Sequence, residues 1–331
     1  MDIFFRVDAN SEIGMGHLMR CLTLAKTFKS HSHNVTFAFH NINEKAHKLI
    51  KSDFLFLSIN SVESLDFLEK RENSATLVIV DHYQINHSWH KNVISKGATL
   101  VVIDDLIEKE ITAHYVLNQN LTASIEAYKK KNCQVYNRYL LGPQYALIRD
   151  EFINVLHTKN KEYGLLISMG GADGKNQTPR MLNILDKLNY KEKVLVIVGP
   201  TAKNLEEIQN LKSRLNIQVD IKINSKEIAE DMKRSKLSIG AGGISNYERI
   251  CLNLPTFVIT TAENQVLQTE ELEKRKLIHY VGHWNQVDDS QLKESLQKFL
   301  CSPPPLSDKI DPLIDGQGVK RAYQELTSSM M

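Results

Sequence analysis

Near the start of the chain a histidine follows two glycines, in Gly14-Met15-Gly16-His17. The run from Arg6-Val7-Asp8 to Arg20-Cys21 reads as a strand end, a loop and a helix that begins near His17. Glycines let a backbone approach a ligand closely, and a helix start offers unpaired N–H groups. A histidine in the first helical turn sits at the positive end of the helix dipole. That end disfavours imidazolium and keeps the ring able to accept a proton. His17 is therefore either a general base or a residue that packs at a helix start. The dinucleotide fingerprint fails here. Met19 stands where its third small residue belongs, and Phe39-His40 where its acidic residue belongs.

A second glycine-rich turn, Gly240-Ala241-Gly242-Gly243-Ile244-Ser245-Asn246-Tyr247-Glu248, runs from a strand into a helix with Ser245 as the expected N-cap. Backbone N–H groups, a hydroxyl and a dipole would converge there on a diphosphate, with Glu248 one turn in to accept from ribose hydroxyls. The plainer alternative is a tight strand–helix turn. A third turn, Ser168-Met169-Gly170-Gly171-Ala172-Asp173-Gly174-Lys175-Asn176, is not a triphosphate loop. Its spacing is one residue short, and Asn176 replaces the magnesium-binding hydroxyl. It reads as the first strand–helix loop of the second half, near a ligand. Tyr83 closes a strand in Asp81-His82-Tyr83, where it either touches a sugar or belongs to a strand-end polar cluster. Asp104-Asp105 ends another strand and either orients a ligand or caps the next element. The amides of Asn264-Gln265 follow a further strand. His82, His87 and His90 lack a cysteine or paired carboxylate at fixed spacing, so no metal site is expected.

The elements that must position these residues alternate regularly. Apolar, β-branched runs lie at 3–7, 35–39, 54–59, 76–80, 99–103 and 115–117, then at 165–169, 194–198, 217–223, 237–239, 256–259 and 278–281. Helical spacing intervenes, as at 17–28, 177–188 and 265–275. Runs apolar on both faces suit strands covered on two sides, and strand–helix alternation implies parallel sheets with right-handed crossovers. The polar stretch within 144–163 breaks the pattern. The expected fold is α/β, with two doubly wound Rossmann-like domains, 1–150 and 151–305, facing a central cleft. Pro303-Pro304-Pro305 precedes a last helix at about 311–327, in a tail (306–331) expected to pack back on the first domain.

Composition narrows the partners. A net charge of +2 on 331 residues, with no basic stripe, gives no case for nucleic acid. The cysteines Cys21, Cys133, Cys251 and Cys301 are widely spaced and read as reduced thiols. The N-terminus lacks a signal-peptide pattern, and no apolar run reaches membrane length. A cytoplasmic monomer acting on a small molecule is expected.

These motifs resemble a known family. Arg6-Val7-Asp8, Gly14-Met15-Gly16-His17 and Arg20-Cys21 resemble the opening motif of the UDP-2,4-diacetamido-2,4,6-trideoxy-β-L-altropyranose hydrolases of pseudaminic acid biosynthesis. Asp81-His82-Tyr83, Ile103-Asp104-Asp105, Leu141-Gly142-Pro143-Gln144-Tyr145-Ala146, Met169-Gly170-Gly171-Ala172-Asp173, Gly240-Ala241-Gly242-Gly243 and Asp315-Gly316-Gln317-Gly318 fall where that family's motifs fall. His82 and residues 84–90 depart from its pattern. The resemblance implies a GT-B architecture and hydrolysis of a UDP-linked 2,4-diacetamido-2,4,6-trideoxy hexose with inversion, without metal or cofactor. It implies His17 as general base and Arg6, Asp8, Gly14, Gly16, Arg20, Tyr83 and Asn264 as substrate-binding residues. Gly170, Gly171, Gly242, Gly243, Ser245 and Glu248 would hold UDP. A GT-B glycosyltransferase using a UDP-amino sugar is the alternative, and a non-catalytic nucleotide-sugar sensor a third.

Overall fold

Apolar runs become parallel strands in both halves of the chain. The computed structural model describes residues 1–10, 15–72, 75–153, 161–199, 202–303 and 313–328. Two units divide it: Met1–Ile148 with Gly316–Met331, and Arg149–Asp315.

In the first unit the strands are β1 (Asp2–Val7), β2 (Asn34–Phe39), β3 (Leu55–Ser58), β4 (Thr76–Asp81), β5 (Thr99–Ile103), β6 (Thr112–Asn118) and β7 (Gln134–Leu141). They form a parallel sheet in the order β3-β2-β1-β4-β5-β6-β7. Helices α1 (Gly16–Ser30), α2 (Glu44–Lys51), α3 (His87–Ser95) and α4 (Ile125–Lys130) connect them. Every residue of β1 and β4 is buried, as strands covered on both faces require. Period-two alternation divides β1 between two cores. Ile3, Phe5 and Val7 pack with Leu18, Cys21, Ala25 and Phe28 of α1, while Phe4 packs with Phe67 and Trp89 on the other face. The strand order reverses at β1, so chain leaving β1 and chain leaving β4 diverge to opposite faces. Open α/β sheets bind ligands at such a point, beyond the carboxyl ends of the strands.

The second unit repeats this plan. Its strands are β8 (Tyr163–Ser168), β9 (Val194–Val198), β10 (Val219–Ile223), β11 (Ser235–Ala241), β12 (Thr256–Thr260) and β13 (His279–His283). Their order is β10-β9-β8-β11-β12-β13, all parallel. Its helices are α5 (Gln177–Lys187), α6 (Leu205–Lys212), α7 (Ile228–Lys233), α8 (Ser245–Cys251), α9 (Val266–Lys274) and α10 (Asp289–Cys301). Here the order reverses between β8 and β11, which precede the two glycine-rich turns.

Strand β7 was not expected from the sequence. It is an edge strand, mostly exposed, so its residues need not be apolar and carry no burial signature. The last helix, α11, runs Gly318–Ser328 rather than from about residue 311. Residues 304–312 lie outside the described ones. Val319, Ala322 and Leu326 are buried in the core beside α1, and Tyr323 meets Phe28 edge-on at 5.3 Å between ring centroids. The four cysteines are free thiols. Among the described residues no helix is long and apolar enough to cross a membrane.

Gly318 is where α11 touches down. A Cβ there would lie 2.3 Å from the carbonyl oxygen of Ala146, which is backbone and cannot swing aside. Gly318→Ala is expected to cost about 1–3 kcal/mol through this overpacking. Thermal unfolding checks it, and an unchanged Tm would show that α11 docks otherwise.

Candidate active site

Strands β1 and β4 lie side by side with Val7 opposite Asp81. Asp81, the last residue of β4, thus emerges at the switch point, where α1 begins after the β1 loop. His17 and Arg20, one turn apart on α1, both face it. His17 Nδ1 lies 2.6 Å from Asp81 Oδ1. Arg20 donates Nε to Asp81 Oδ2 at 2.5 Å and Nη2 to Oδ1 at 2.6 Å. Cys21 Sγ approaches Oδ2 at 3.6 Å. Burial opposes ionisation of Asp81. The Arg20 guanidinium and the His17 ring outweigh it, so the carboxyl is held well below the usual carboxylate range. Burial opposes the Arg20 charge too, and again the Asp81 carboxylate outweighs it and raises its pKa. A carboxylate can only accept, so this network assigns the His17 proton to Nδ1 and the lone pair to Nε2. The 3.1 Å approach of Arg20 Nη2 to His17 Nδ1 then joins two donors sharing one oxygen.

Arg20 also bridges outward. Its Nη1 donates to Asp105 Oδ2 at 3.1 Å, and the Tyr83 hydroxyl donates to the same oxygen at 3.1 Å. The Tyr83 ring stands perpendicular to that of His17, with ring centroids 4.6 Å apart, and is 38% exposed. Asp104, by contrast, caps its own loop. It accepts from the amides of Leu106 and Ile107 and from the Tyr128 hydroxyl.

Arg6 and Asp8, placed by the sequence among substrate-binding residues, are fully or almost fully buried at 0% and 1% exposure. They turn toward each other, with Arg6 Nη1 at 2.7 Å from Asp8 Oδ1. Asp8 also accepts from the amides of His40 and Asn41 and from His82 Nε2 at 3.1 Å. Since His82 Nδ1 accepts from the Gln84 amide, its proton is on Nε2. Burial works against the Asp8 charge. Hydrogen bonds from His82 and Arg6 outweigh it and hold the carboxyl well below its ordinary value. This group forms a floor that fixes the ends of β1 and β4 rather than a solvent-facing contact. Arg20 is likewise buried, and its role in the geometry is to hold Asp81 and Asp105. Gly16 is the first residue of α1, with open space where a Cβ would stand. Gly14 lies outside the described residues. The histidines at 82, 87 and 90 diverge: His82 meets Asp8, His87 lies 3.8 Å from Glu110, and His90 is buried.

In the second unit Gly170 and Gly243 adopt positive φ of 83° and 106°, which admit glycine with least strain. Ser245 is not the N-cap. That position is Ile244, already helical, and Ser245 is the first residue of α8. Asp173 accepts from the amides of Gln177 and Thr178 and from Asn204 Nδ2, so it occupies the start of α5. Glu248 is buried, and its Oε1 meets Arg149 at 3.0 Å. Burial raises its pKa against the pull of Arg149. Behind Gly240 lies the buried Arg249, where a Cβ would fall 2.3 Å from its guanidinium. Burial pushes Arg249 down to about 10. Asn264 is exposed in a short 3-10 turn, Glu263–Gln265. Asp81 had no role readable from the sequence, and Asp105 none that was settled. Their signal was a carboxylate at or just beyond the end of a mostly apolar strand.

Asp81→Asn should destabilise the protein at neutral pH by about 3–5 kcal/mol, because it takes from the buried Arg20 its closer charge partner and leaves only Asp105 at 3.1 Å. The depressed pKa of Asp81 means its contribution is present above the unfolded carboxyl pKa of about 4 and is lost as pH falls toward the folded value. The gap between variant and parent should therefore narrow from pH 7 to pH 3 in urea unfolding. A gap independent of pH would show that the charge on Asp81 does not hold the cluster.

No protein-family model matches the chain. It is 29% identical over 275 residues to an uncharacterised protein of Methanocaldococcus jannaschii, covering 80% of this chain and 57% of that protein's length. It is 30% identical over 284 residues to the UDP-2,4-diacetamido-2,4,6-trideoxy-β-L-altropyranose hydrolase of Campylobacter jejuni, covering 83% of this chain and 97% of the hydrolase. Among solved structures it resembles MurG of Acinetobacter baumannii, with a TM-score of 0.64, 11% identity, and coverage of 100% of this chain and 99% of MurG. The fold is thus of the GT-B type, two parallel-sheet α/β domains.

Proposed function

This chain belongs to the family of the UDP-2,4-diacetamido-2,4,6-trideoxy-β-L-altropyranose hydrolases, and we propose from that premise that it cleaves a UDP-linked 2,4-diacetamido-2,4,6-trideoxy hexose to free sugar and UDP, as a step of nonulosonic (pseudaminic) acid biosynthesis. The observation that carries the mechanism is the 2.6 Å contact of His17 Nδ1 with Asp81. With Nδ1 committed to the carboxylate, Nε2 takes the proton of a water molecule. The water oxygen bonds to the anomeric carbon on the face opposite the leaving group. The bond from that carbon to the phosphate oxygen breaks, and UDP departs with the electron pair. The sugar is released with inversion. Asp81 stabilises the imidazolium so formed and keeps the ring in its tautomer, the role a buried carboxylate plays beside other catalytic histidines. Arg20 is the positioning residue that fixes Asp81, Tyr83 offers its exposed ring to the sugar, and Asn264 of the second unit offers its side-chain amide.

The second unit supplies the UDP-holding residues of this proposal. Gly170, Gly171, Gly242 and Gly243 present backbone N–H groups, and Ser245 a hydroxyl, to the diphosphate. Donors of this kind stabilise the charge that develops on a departing phosphate. Glu248 accepts from the ribose. Because Arg149 engages Oε1, that hydrogen bond falls to Oε2. The chemistry asks for no metal or cofactor, and the enzyme is proposed to act in the cytoplasm as a monomer.

Purified protein incubated with the UDP-linked diacetamido sugar, without acceptor, should yield UDP and the free inverted sugar. His17→Asn should lower kcat by about 10²–10⁴-fold, the contribution of a general base, while UDP binding by calorimetry is retained. Near-normal turnover of the variant removes His17 from the mechanism. Product formed only in the presence of an alcohol acceptor makes the chain a transferase.

A further inference from the structure

Beside the His17 cluster, within the first unit, lies a cavity of about 180 Å³ that the mechanism does not use. It opens between the loop after β4 and the loop after β5. Val80, Ile85, Val102 and Ile111, all buried, make its wall apolar. Tyr83 also lines it, and the same ring stands edge-on to His17. Lys109 at the rim donates to the Tyr83 carbonyl and holds that residue in place. Against this apolar wall stands His90, 3% exposed, whose Nδ1 has no hydrogen-bond partner among the described residues, while His82, Asp104, Glu108 and Glu110 make other parts of the lining polar. A buried polar nitrogen without a partner is costly, and such groups are normally satisfied. Burial pushes the His90 pKa down to about 3, so the ring is neutral near pH 7 and each nitrogen is either a single donor or a single acceptor. At roughly 30 Å³ per water the space corresponds to about six waters. That suits a small substituent rather than a nucleobase or a whole hexose.

We propose that this cavity is a specificity subsite for an acylamino substituent of the sugar, with the acyl methyl on the Val80–Ile85–Val102–Ile111 wall and the amide hydrogen-bonded to His90 Nδ1. A small apolar group with an adjoining polar amide matches a buried apolar wall with an unpartnered polar nitrogen beside it. The inference rests on the hydrolase function proposed above and assigns His90 a part in choosing the substrate, not in the chemical step.

The test compares three substrates on the full chain: the UDP-linked 2,4-diacetamido sugar and its two mono-N-deacetylated forms. The unsubstituted protein should prefer the diacetylated sugar over one of the two forms by about 10–200-fold in kcat/KM, the range for a small group in a pocket. Val102→Phe and Ile111→Phe, which fill the cavity from different strands and loops, should erase that preference. They should lower kcat/KM only for substrates carrying the acyl group concerned. His90→Leu should do the same, and His90→Asn, which restores an amide hydrogen-bonding group, should recover part of it. Thermal unfolding identifies variants that retain the fold. Equal losses on all three substrates, or an unaltered preference in folded variants, overturn the subsite while leaving the hydrolase function standing. If the unsubstituted protein releases no UDP from any of the three, both proposals fall.

Discussion

The site depends on one shared carboxylate. Asp81 is almost wholly buried and accepts from Arg20 through both oxygens and from His17 through one. Taken alone, each of these charges would be unfavourable inside a protein, and removing one partner strands the others. The arrangement therefore locks three side chains from two elements into one geometry. Arg20 carries the constraint on to Asp105, and Asp105 carries it to Tyr83, so the ring that borders His17 is tied to the same centre. A neighbouring set, Arg6 with Asp8 and His82, fixes the strand ends beneath it. Two adjacent ion-paired groups, each built on a carboxylate at or just beyond a strand terminus, make the switch point of this sheet rigid rather than merely concave.

Much of this was legible in the sequence, and the part that was not follows a pattern. The strands buried on two faces declared themselves by continuous apolar runs. Edge strand β7 did not, because exposure frees its residues from any such rule. His17 stood out because glycines flank it. Asp81 did not, because its partner is 64 residues away and only the register of β1 against β4 brings them together. The dipole argument for His17 captured its place in the first turn of α1 but not the carboxylate that orients the ring. Arg6 and Asp8 were read as ligand contacts from the family likeness of the opening motif, and residue type alone did not show that they would be buried against each other. Ser245 was read as a cap from residue type, but the N-cap is Ile244 and Ser245 is already the first residue of the helix.

The second unit shows the same logic in a quieter form. Its two glycine-rich turns differ in what they leave open. The start of α5 is already occupied by Asp173, whose carboxylate takes two of the helix's first amides. The N-cap of α8, Ile244, makes no side-chain cap hydrogen bond among the described residues. Two turns that look alike as glycine patterns thus differ in how the helix start is held, a difference that depends on where one aspartate folds back and not on glycine content.

The placement of α11 carries a consequence for how the protein is made. The chain starts in the first unit, builds the whole second unit as an insertion, and returns to the first for its last helix. On a ribosome, residues 149–315 can collapse into a finished sheet while the first unit still exposes the apolar groove along α1 that Val319, Ala322 and Leu326 will fill. At about 5–20 residues per second this interval lasts some ten seconds or more. The unit that carries the histidine thus begins to emerge before the second unit and is sealed after it.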